Sequence, residues 1–445
     1  MSDLGHELEP STRRASQPQL TRFGNRLRRE WTEERPGSTM IEVPRFPKPP
    51  AFLMIGLVLG IAGTLGVQAS LREAAAGQPS KTSTIDRQQF HDALDLVLDR
   101  HIDPVDPRAL MAEGLKHMAG GLDSYSNFLT AEERELARKR EQQGADAGMV
   151  VRLSAGPLGD GESQALEVVA VMPGGPAEQL GIGPGDMLLE VRGRASERLV
   201  SAAEAQILLA GSPGERIDIE LLRAGRSRGE SIELELAKPD ADALVRGELL
   251  HQPGRQPGDK AIALVSVRSF RAGVGERVKK QIAELRRAAG KAGLEGIVID
   301  LRGNPGGEVD EALIIADAFI EEGILTRTRG RGGKILREER ASVAGTDTTT
   351  PLVILQDARS ASASELLAVA LQDHHRATII GERSFGKGTV QERIGLPDGS
   401  LLTLTVARYF SPDDRAIDGR GVDPDVVVPE GSTALEAAID QLGGA

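Results

Sequence analysis

The sequence predicts an α/β protein with an inserted β-rich domain, a helical segment ahead of that insert and one transmembrane helix near the N-terminus. Three observations predict it. Over residues 259–430, strand-like runs such as GIVIDL (296–301) and PLVILQ (351–356) alternate with amphipathic helical patterns, as in a sheet covered by helices. Between 144 and 238, short alternating runs (MVVRLS, ALEVVAVM, DMLLEVRG, RIDIELLRAG, SIELELA) are separated by Gly/Pro turns such as PGGPAEQLGIGPGD. Finally, residues 49–71 contain no charged side chain.

Taken in order, residues 1–50 are rich in Pro, Ser, Arg and Glu, a composition that favours a disordered tail. The run AFLMIGLVLGIAGTLGVQA at 51–69 is nineteen residues, about 28 Å as a helix, close to the hydrocarbon thickness of a bilayer. A cleaved signal peptide is the rival, with Val67-Gln68-Ala69 as a cleavage site. The fifty residues ahead of the run are too long for an ordinary n-region, so an uncleaved anchor is expected. Nine Lys/Arg precede the span, and only Arg72 and Lys81 lie in the fifteen residues after it. The positive-inside bias puts the tail in the cytoplasm and the remainder in the periplasm or outside the cell.

Residues 70–84 read as a linker. The segment 85–143 is helical: Phe90, Leu94, Val97 and Leu98 share a face after the capping Thr84. Pro107–Met118 follows, then a turn and a charged helix in GLDSYSNFLTAEERELARKREQQ. The β-rich domain occupies 144–240, with one helix at Ser201–Leu209. The α/β core covers 241–430, and 431–445 read as a C-terminal tail.

Composition removes several functional classes. The 445 residues carry 54 basic and 66 acidic side chains, a net charge of -12, which argues against a general nucleic-acid binder. There is no cysteine, so disulfides, thiolate metal sites and a cysteine nucleophile are excluded. Aromatic residues are 3% of the chain, so the cores are built from Ala, Val, Ile and Leu.

Two core strands run into loops that open helices: Arg302-Gly-Asn-Pro-Gly-Gly307 and Arg359-Ser-Ala-Ser-Ala-Ser-Glu365. Loops at the carboxyl ends of sheet strands are where α/β proteins build sites. Glycine loops and helix N-termini supply N–H groups that hold an oxyanion. Ser362, between two alanines, has an uncovered hydroxyl, but with Glu365 three residues on it also fits a capping box. The segment Gly381–Gly388 nearly matches a phosphate-binding loop. It lacks the hydroxyl after Lys387, and a strand follows where that loop needs a helix. Asp373-His374-His375 reads as a helix end. Lys387 has glycine on both sides. A lysine confined in an apolar site loses pKa and can take the proton of a serine hydroxyl, giving a Ser–Lys dyad, although an ordinary surface lysine fits the same pattern.

The motifs GLDSYSNFL, GIVIDLRGNPGG, RSASASELLAVALQD, GERSFGKGTVQ, LPDGSLLTLTVARYFSP and GVDPDVVVP follow one another along residues 85–430. In this order they resemble the carboxy-terminal processing, or tail-specific, proteases. The resemblance implies a crotonase/ClpP-like catalytic core with an inserted PDZ-like domain. It implies a serine endopeptidase in which Ser362 is the nucleophile, Lys387 the general base and Gln391, four residues on, the residue that orients the amine. Oxyanion donors fall on the N–H groups of Ala363 and Gly306, and Glu365 and Asp373 are structural. No metal or organic cofactor is implied. The PDZ-like domain implies recognition of apolar C-terminal tails of protein or peptide substrates, with Gly148, Met149 and Val150 as the carboxylate loop and the 201–209 helix as the other groove wall. Self-association and an activating partner are further expectations. A catalytically silent PDZ-type receptor or scaffold is the alternative.

Overall fold

The computed structural model describes residues 87–156, 164–240, 242–251, 259–342, 346–428 and 432–443. The chain divides into two units, Met1–Asp95 and Leu96–Ala445. In the first, the described residues begin the helix Arg87–Arg100. The expected membrane helix at 51–69 lies outside the described residues, and no helix among those described is long and apolar enough to cross a membrane.

The second unit is organised around a six-stranded sheet in the order Val245–Leu250, Ala261–Val267, Leu294–Asp300, Leu352–Gln356, Thr378–Gly381 and Val426–Val427. The first pair is antiparallel and the rest are parallel. Strand periodicity sends alternate residues to opposite faces. Ala263, Val265, Val267, Ile297, Ile299 and Ile354 meet the helices Val274–Ala288, Val309–Asp317 and Ala363–Asp373 on one side. Ile262, Leu264, Val298, Val353 and Leu355 face the other side, where Ala438 and Leu442 cover them. These two belong to a helix, Ala434–Gly443, in the segment expected to be a tail. Its apolar residues Ala434, Ala438 and Leu442 recur at helical spacing, which is what lets so short a helix close the face.

A second sheet runs Asn127–Leu129, Leu401–Phe410, Ile324–Gly330, Ile335–Arg340, with Thr389–Gly395 also paired to Leu401–Phe410. Its first strand comes from the region expected to be helical. Asn127, Phe128 and Leu129 are all buried there, against Thr403, Leu402 and Leu401. The β-rich domain is a separate sheet ordered Met149–Ala155, Gln164–Val171, Met187–Val191, Arg216–Leu222, Glu230–Glu235, closed by the helix Ala202–Leu208 over its own apolar core.

The helix Pro107–Gly120 is joined to this domain by a buried ion cluster. Lys116 Nζ lies 2.7 Å from Glu133 and 3.4 Å from Glu204, and Glu204 also meets Arg194 at 3.0 Å. Burial pulls the Lys116 pKa down, but the surrounding carboxylates outweigh it and hold it above its ordinary value.

Candidate active site

The strands Leu294–Asp300 and Leu352–Gln356 are parallel neighbours, so their carboxyl ends release the two glycine- and serine-rich loops side by side. Asn304, fully buried, clips them together. Its backbone oxygen accepts the Ala361 N–H and the Ser364 hydroxyl, both at 3.0 Å. Its side-chain amide donates to Val267 O at 3.0 Å. The Ser360 hydroxyl adds a bond to Leu301 O at 2.8 Å.

Ser362 ends the second loop and begins the helix Ala363–Asp373. Its backbone has φ 58 and ψ -115, a conformation costly for a side chain with a Cβ. Such a turn between strand and helix pushes the hydroxyl out of the sheet, and Ser362 is half-buried while Ala361 and Ala363 are buried. The Ala363 N–H opens the helix, where N–H groups have no partner within the helix. Gly306 faces Ser362 so closely that a Cβ on it would lie 2.8 Å from Ser362 Cβ and 2.6 Å from Ala361 O. Its own N–H donates to Asn304 Oδ1 at 2.9 Å, a bond it must give up to serve an oxyanion.

The helix carries a fully buried carboxylate, Glu365. Glu365 Oε2 accepts the Ser362 N–H at 2.7 Å and the Lys387 N–H at 2.8 Å. Oε1 accepts the Ser384 hydroxyl and the Gly386 N–H, both at 2.6 Å. Burial pushes the Glu365 carboxyl up from its ordinary value, while the four donors pull the other way. Ser384 Oγ accepts the Val422 N–H and donates to Glu365 Oε1, so each contact given to the carboxylate is a donor. The four donors favour the ionised carboxylate against the burial that opposes it. Part of the capping box expected at Ser362 is present, and it extends beyond the helix to the segment that carries Lys387.

Lys387 is half-buried, and burial lowers its pKa from the ordinary 10.5, opposed by the charge of Glu365. The flanking Gly388 packs where a Cβ would collide with the Asp418 backbone, which explains the glycine on that side. Lys387 Nζ lies 4.4 Å from the centre of the Tyr125 ring. Among the described residues no hydrogen bond joins it to Ser362 or Gln391. Gln391 donates instead to the hydroxyls of Thr389 at 2.9 Å and Thr405 at 3.2 Å. The expected shared face depends on a regular strand from 387 to 391. The strand begins only at Thr389, and its register shifts between Val390 and Gln391. The segment Gly381–Gly388 links two strands, Thr378–Gly381 and Thr389–Gly395, so the helix of a phosphate-binding loop is absent there.

In the β-rich domain, Met149–Ala155 is an edge strand beside the helix Ala202–Leu208. An edge strand leaves a row of backbone groups for an added peptide. Gly148 has φ 68, and its N–H donates to Asp146 Oδ1 at 2.8 Å. Met149 is buried in the domain core, and Val150 packs against the core of the six-stranded sheet. Asp146 also pairs with Arg271 at 3.0 Å, and Arg152 lies 5.6 Å from the centre of the Phe385 ring, two residues before Lys387.

The sequence motif GLDSYSNFL contains Tyr125 without marking it, and nothing local marks Asn304 or Ser384. Tyr125 and Lys387 are far apart in the chain, so no local spacing pairs them. The Glu365 pattern was visible as a cap, but its bonds to Ser384, Gly386 and Lys387 were not.

The fold and the paired loops define a serine hydrolase built on a mostly parallel sheet with an appended peptide-binding module. Residues 261–428 match Peptidase family S41 and residues 167–223 match the PDZ domain. A carboxyl-terminal-processing protease of Picosynechococcus is 30% identical over 327 residues, covering 74% of this chain and 75% of that protein. A carboxy-terminal-processing protease of Bartonella bacilliformis is 29% identical over 344 residues, covering 77% and 75%. The solved structure of a photosystem II D1 C-terminal processing protease superposes with TM-score 0.62 at 26% identity, over 81% of this chain and 98% of that one. The chain belongs to Peptidase family S41, the carboxyl-terminal-processing serine proteases with a PDZ domain.

Proposed function

We propose that this protease cleaves protein substrates with Ser362 as nucleophile and Lys387 as general base, after their C-terminal tails have docked on the PDZ domain. Neutral Lys387 takes the proton of Ser362 Oγ as the oxygen attacks the peptide carbonyl. The N–H groups of Ala363 and Gly306 receive the developing oxyanion. Lys387 passes the proton to the leaving amine, and water, activated by the same amine, hydrolyses the acyl-enzyme. Gln391 holds the segment of the base through its threonine contacts. The observation that carries this reading is the single oxygen of Glu365 that accepts the N–H groups of both Ser362 and Lys387.

The tail of the substrate adds to the edge strand at Gly148, Met149 and Val150, against the 202–208 helix, with apolar side chains in the groove. The 51–69 run anchors the chain in a membrane with its N-terminus in the cytoplasm and its catalytic part outside, on the strength of its length and flanking charge. Loss of membrane binding on deletion of 51–69 would support the anchor; unchanged fractionation would remove it.

The test of the catalytic reading is cleavage of an unstructured protein with an apolar C-terminal tail by the full chain, beside Ser362→Ala and Lys387→Ala. Cleavage by the parent alone is expected. Cleavage by either variant at the parental rate would overturn the assignment. An inactive parent that still binds the tail would favour a peptide receptor.

A further inference from the structure

Tyr125 lies between the helix Pro107–Gly120 and the strand Asn127–Leu129, and the catalytic reading gives it nothing to do. Its ring centre is 4.4 Å from Lys387 Nζ, well within the reach of a cation–π contact. The ring does not arrive there loosely. The Asp123 carboxylate accepts the N–H groups of Tyr125 and Ser126, both at 2.8 Å, the Ser126 hydroxyl at 2.9 Å and the Thr405 hydroxyl at 3.1 Å. Ser126 Oγ in turn accepts the Thr405 N–H at 3.1 Å. Thr405 sits on the strand whose hairpin partner, Thr389–Gly395, follows Lys387 directly, and the Gln391 amide donates to the same threonine hydroxyl. Tyr125 and Lys387 are thus set by one hydrogen-bonded frame, and Gln391 belongs to that frame rather than to the amine.

We propose that Tyr125 is a positioning residue for the general base, its ring face holding the ammonium form of Lys387 that each proton transfer creates. This rests on the Ser362–Lys387 reading. When Lys387 takes the serine proton, its amine becomes an ammonium, and it becomes one again when it takes a proton from the deacylating water. Each time the proton leaves, to the departing amine and then to Ser362 Oγ, and the neutral amine is restored. A ring face attracts the cation and not the neutral amine, so Tyr125 stabilises the half of the cycle in which charge is stranded in a partly buried site. The other charged groups facing the pair are Glu365, which favours the ammonium, Asp418 and Asp123 near the Tyr125 ring, and Arg152, which opposes them. Asp418 is itself paired with Arg408 at 2.7 Å. Burial pushes the Tyr125 phenol up from its ordinary value, so the neutral ring faces the lysine across the working range.

The test is the pH dependence of kcat/KM for the full chain with a tailed substrate, comparing the parent, Tyr125→Phe, Tyr125→Leu, and a ring-fluorinated phenylalanine incorporated at 125. The fluorinated ring keeps shape and weakens the face, so it reads the contact even where the leucine variant fails to fold. Phenylalanine is expected to keep the acid limb within about 0.3 pH unit of the parent. Leucine and the fluorinated ring move it to lower pH, by up to about one unit, because the ammonium has lost its support. A merely structural tyrosine would lower the plateau and leave the limb in place, and that result overturns the proposal. So does a limb that disappears in Tyr125→Phe, which would assign it to the phenol. Labelling of Ser362 by a fluorophosphonate in Lys387→Ala separates the two layers. Undiminished labelling removes the dyad and the proposal together, whereas lost labelling with unmoved limbs in the Tyr125 variants removes the proposal alone.

Discussion

Ser362 and Lys387 meet at one oxygen atom: their backbone N–H groups donate to Glu365 Oε2 at 2.7 and 2.8 Å. The helix that carries Ser362 and the loop that carries Lys387 therefore share a fixed point, although the first connects two strands of the six-stranded sheet and the second leads from that sheet to the other. A carboxylate is suited to this because two oxygens accept four donors at once.

Glu365→Gln keeps the shape but turns an NH2 group toward two of those donors. Each buried donor left facing another donor costs about 1–3 kcal/mol. We expect kcat/KM to fall about ten- to a hundredfold, with a lower midpoint of thermal unfolding. Parental activity and stability in this variant would show that the shared oxygen does not hold the site together.

The pH–rate profile follows from Lys387. Only the neutral amine accepts a proton, and burial lowers its pKa below the ordinary 10.5. Activity should rise with pH through a limb below that value and fall as the lysine charges at lower pH. A profile flat across the neutral and mildly alkaline range, with its only limb in the carboxylate region, would count against lysine as the base.

Gly306→Ala places a Cβ within 2.8 Å of Ser362 Cβ and asks alanine to adopt φ 97. Neither loop can withdraw, because Asn304 clips them together through Ala361 and Ser364. We expect fluorophosphonate labelling of Ser362 to slow at least about a hundredfold, roughly the weight of one oxyanion donor, with the circular dichroism spectrum retained. Labelling at the parental rate would mean that the loop approach seen here is not needed for attack.

Lys116→Met removes the cation that bridges Glu133 and Glu204. Glu204, 3% exposed, is left with Arg194 as its ion-pair partner among the described residues. Breaking a buried pair typically costs about 3–5 kcal/mol, and the surviving arginine should hold the loss to about 2–3. Denaturant unfolding reads it, and adding Glu204→Gln should restore part of the loss. No change in midpoint would show that the cluster is solvated in solution.

Asp347 should contribute to acid stability. Burial pushes its carboxyl up, but Thr350, Arg286 and Thr349 outweigh burial and bring it down to about 2. Because the folded value lies below the unfolded one, its contribution is complete above about pH 4 and is lost as pH falls toward 2. Allowing for solvent screening, Asp347→Asn should remove about 1 kcal/mol at neutral pH and only a small fraction of that at pH 2. An equal loss at both would assign the effect to packing.

Much of the architecture was legible in the sequence because its signals are local. The runs GIVIDL and PLVILQ lie in neighbouring strands, and the serine loop opens a helix as its capping pattern predicts. The expected bounds of the two runs, 296–301 and 351–356, fall within two residues of the strands Leu294–Asp300 and Leu352–Gln356. The strand Asn127–Leu129 was hidden because three residues carry no period, and it is a strand only by pairing with Leu401–Thr403. The helix Ala434–Gly443 was read as a tail because its purpose, covering Ile262, Leu264 and Val353, is invisible without the sheet.

By itself the sequence determined the order of the elements, the family and the identity of Ser362 and Lys387 as candidates, since each rests on residues close together in the chain. Only the tertiary structure decided what surrounds them. Glu365 joins their backbones, Tyr125 faces the lysine, the Gln391 amide turns to threonines, and the Gly306 N–H is already engaged. Those relationships depend on strand order, a register shift and buried hydrogen bonds between segments far apart in sequence, and the physical need to satisfy every buried donor is what selects among them.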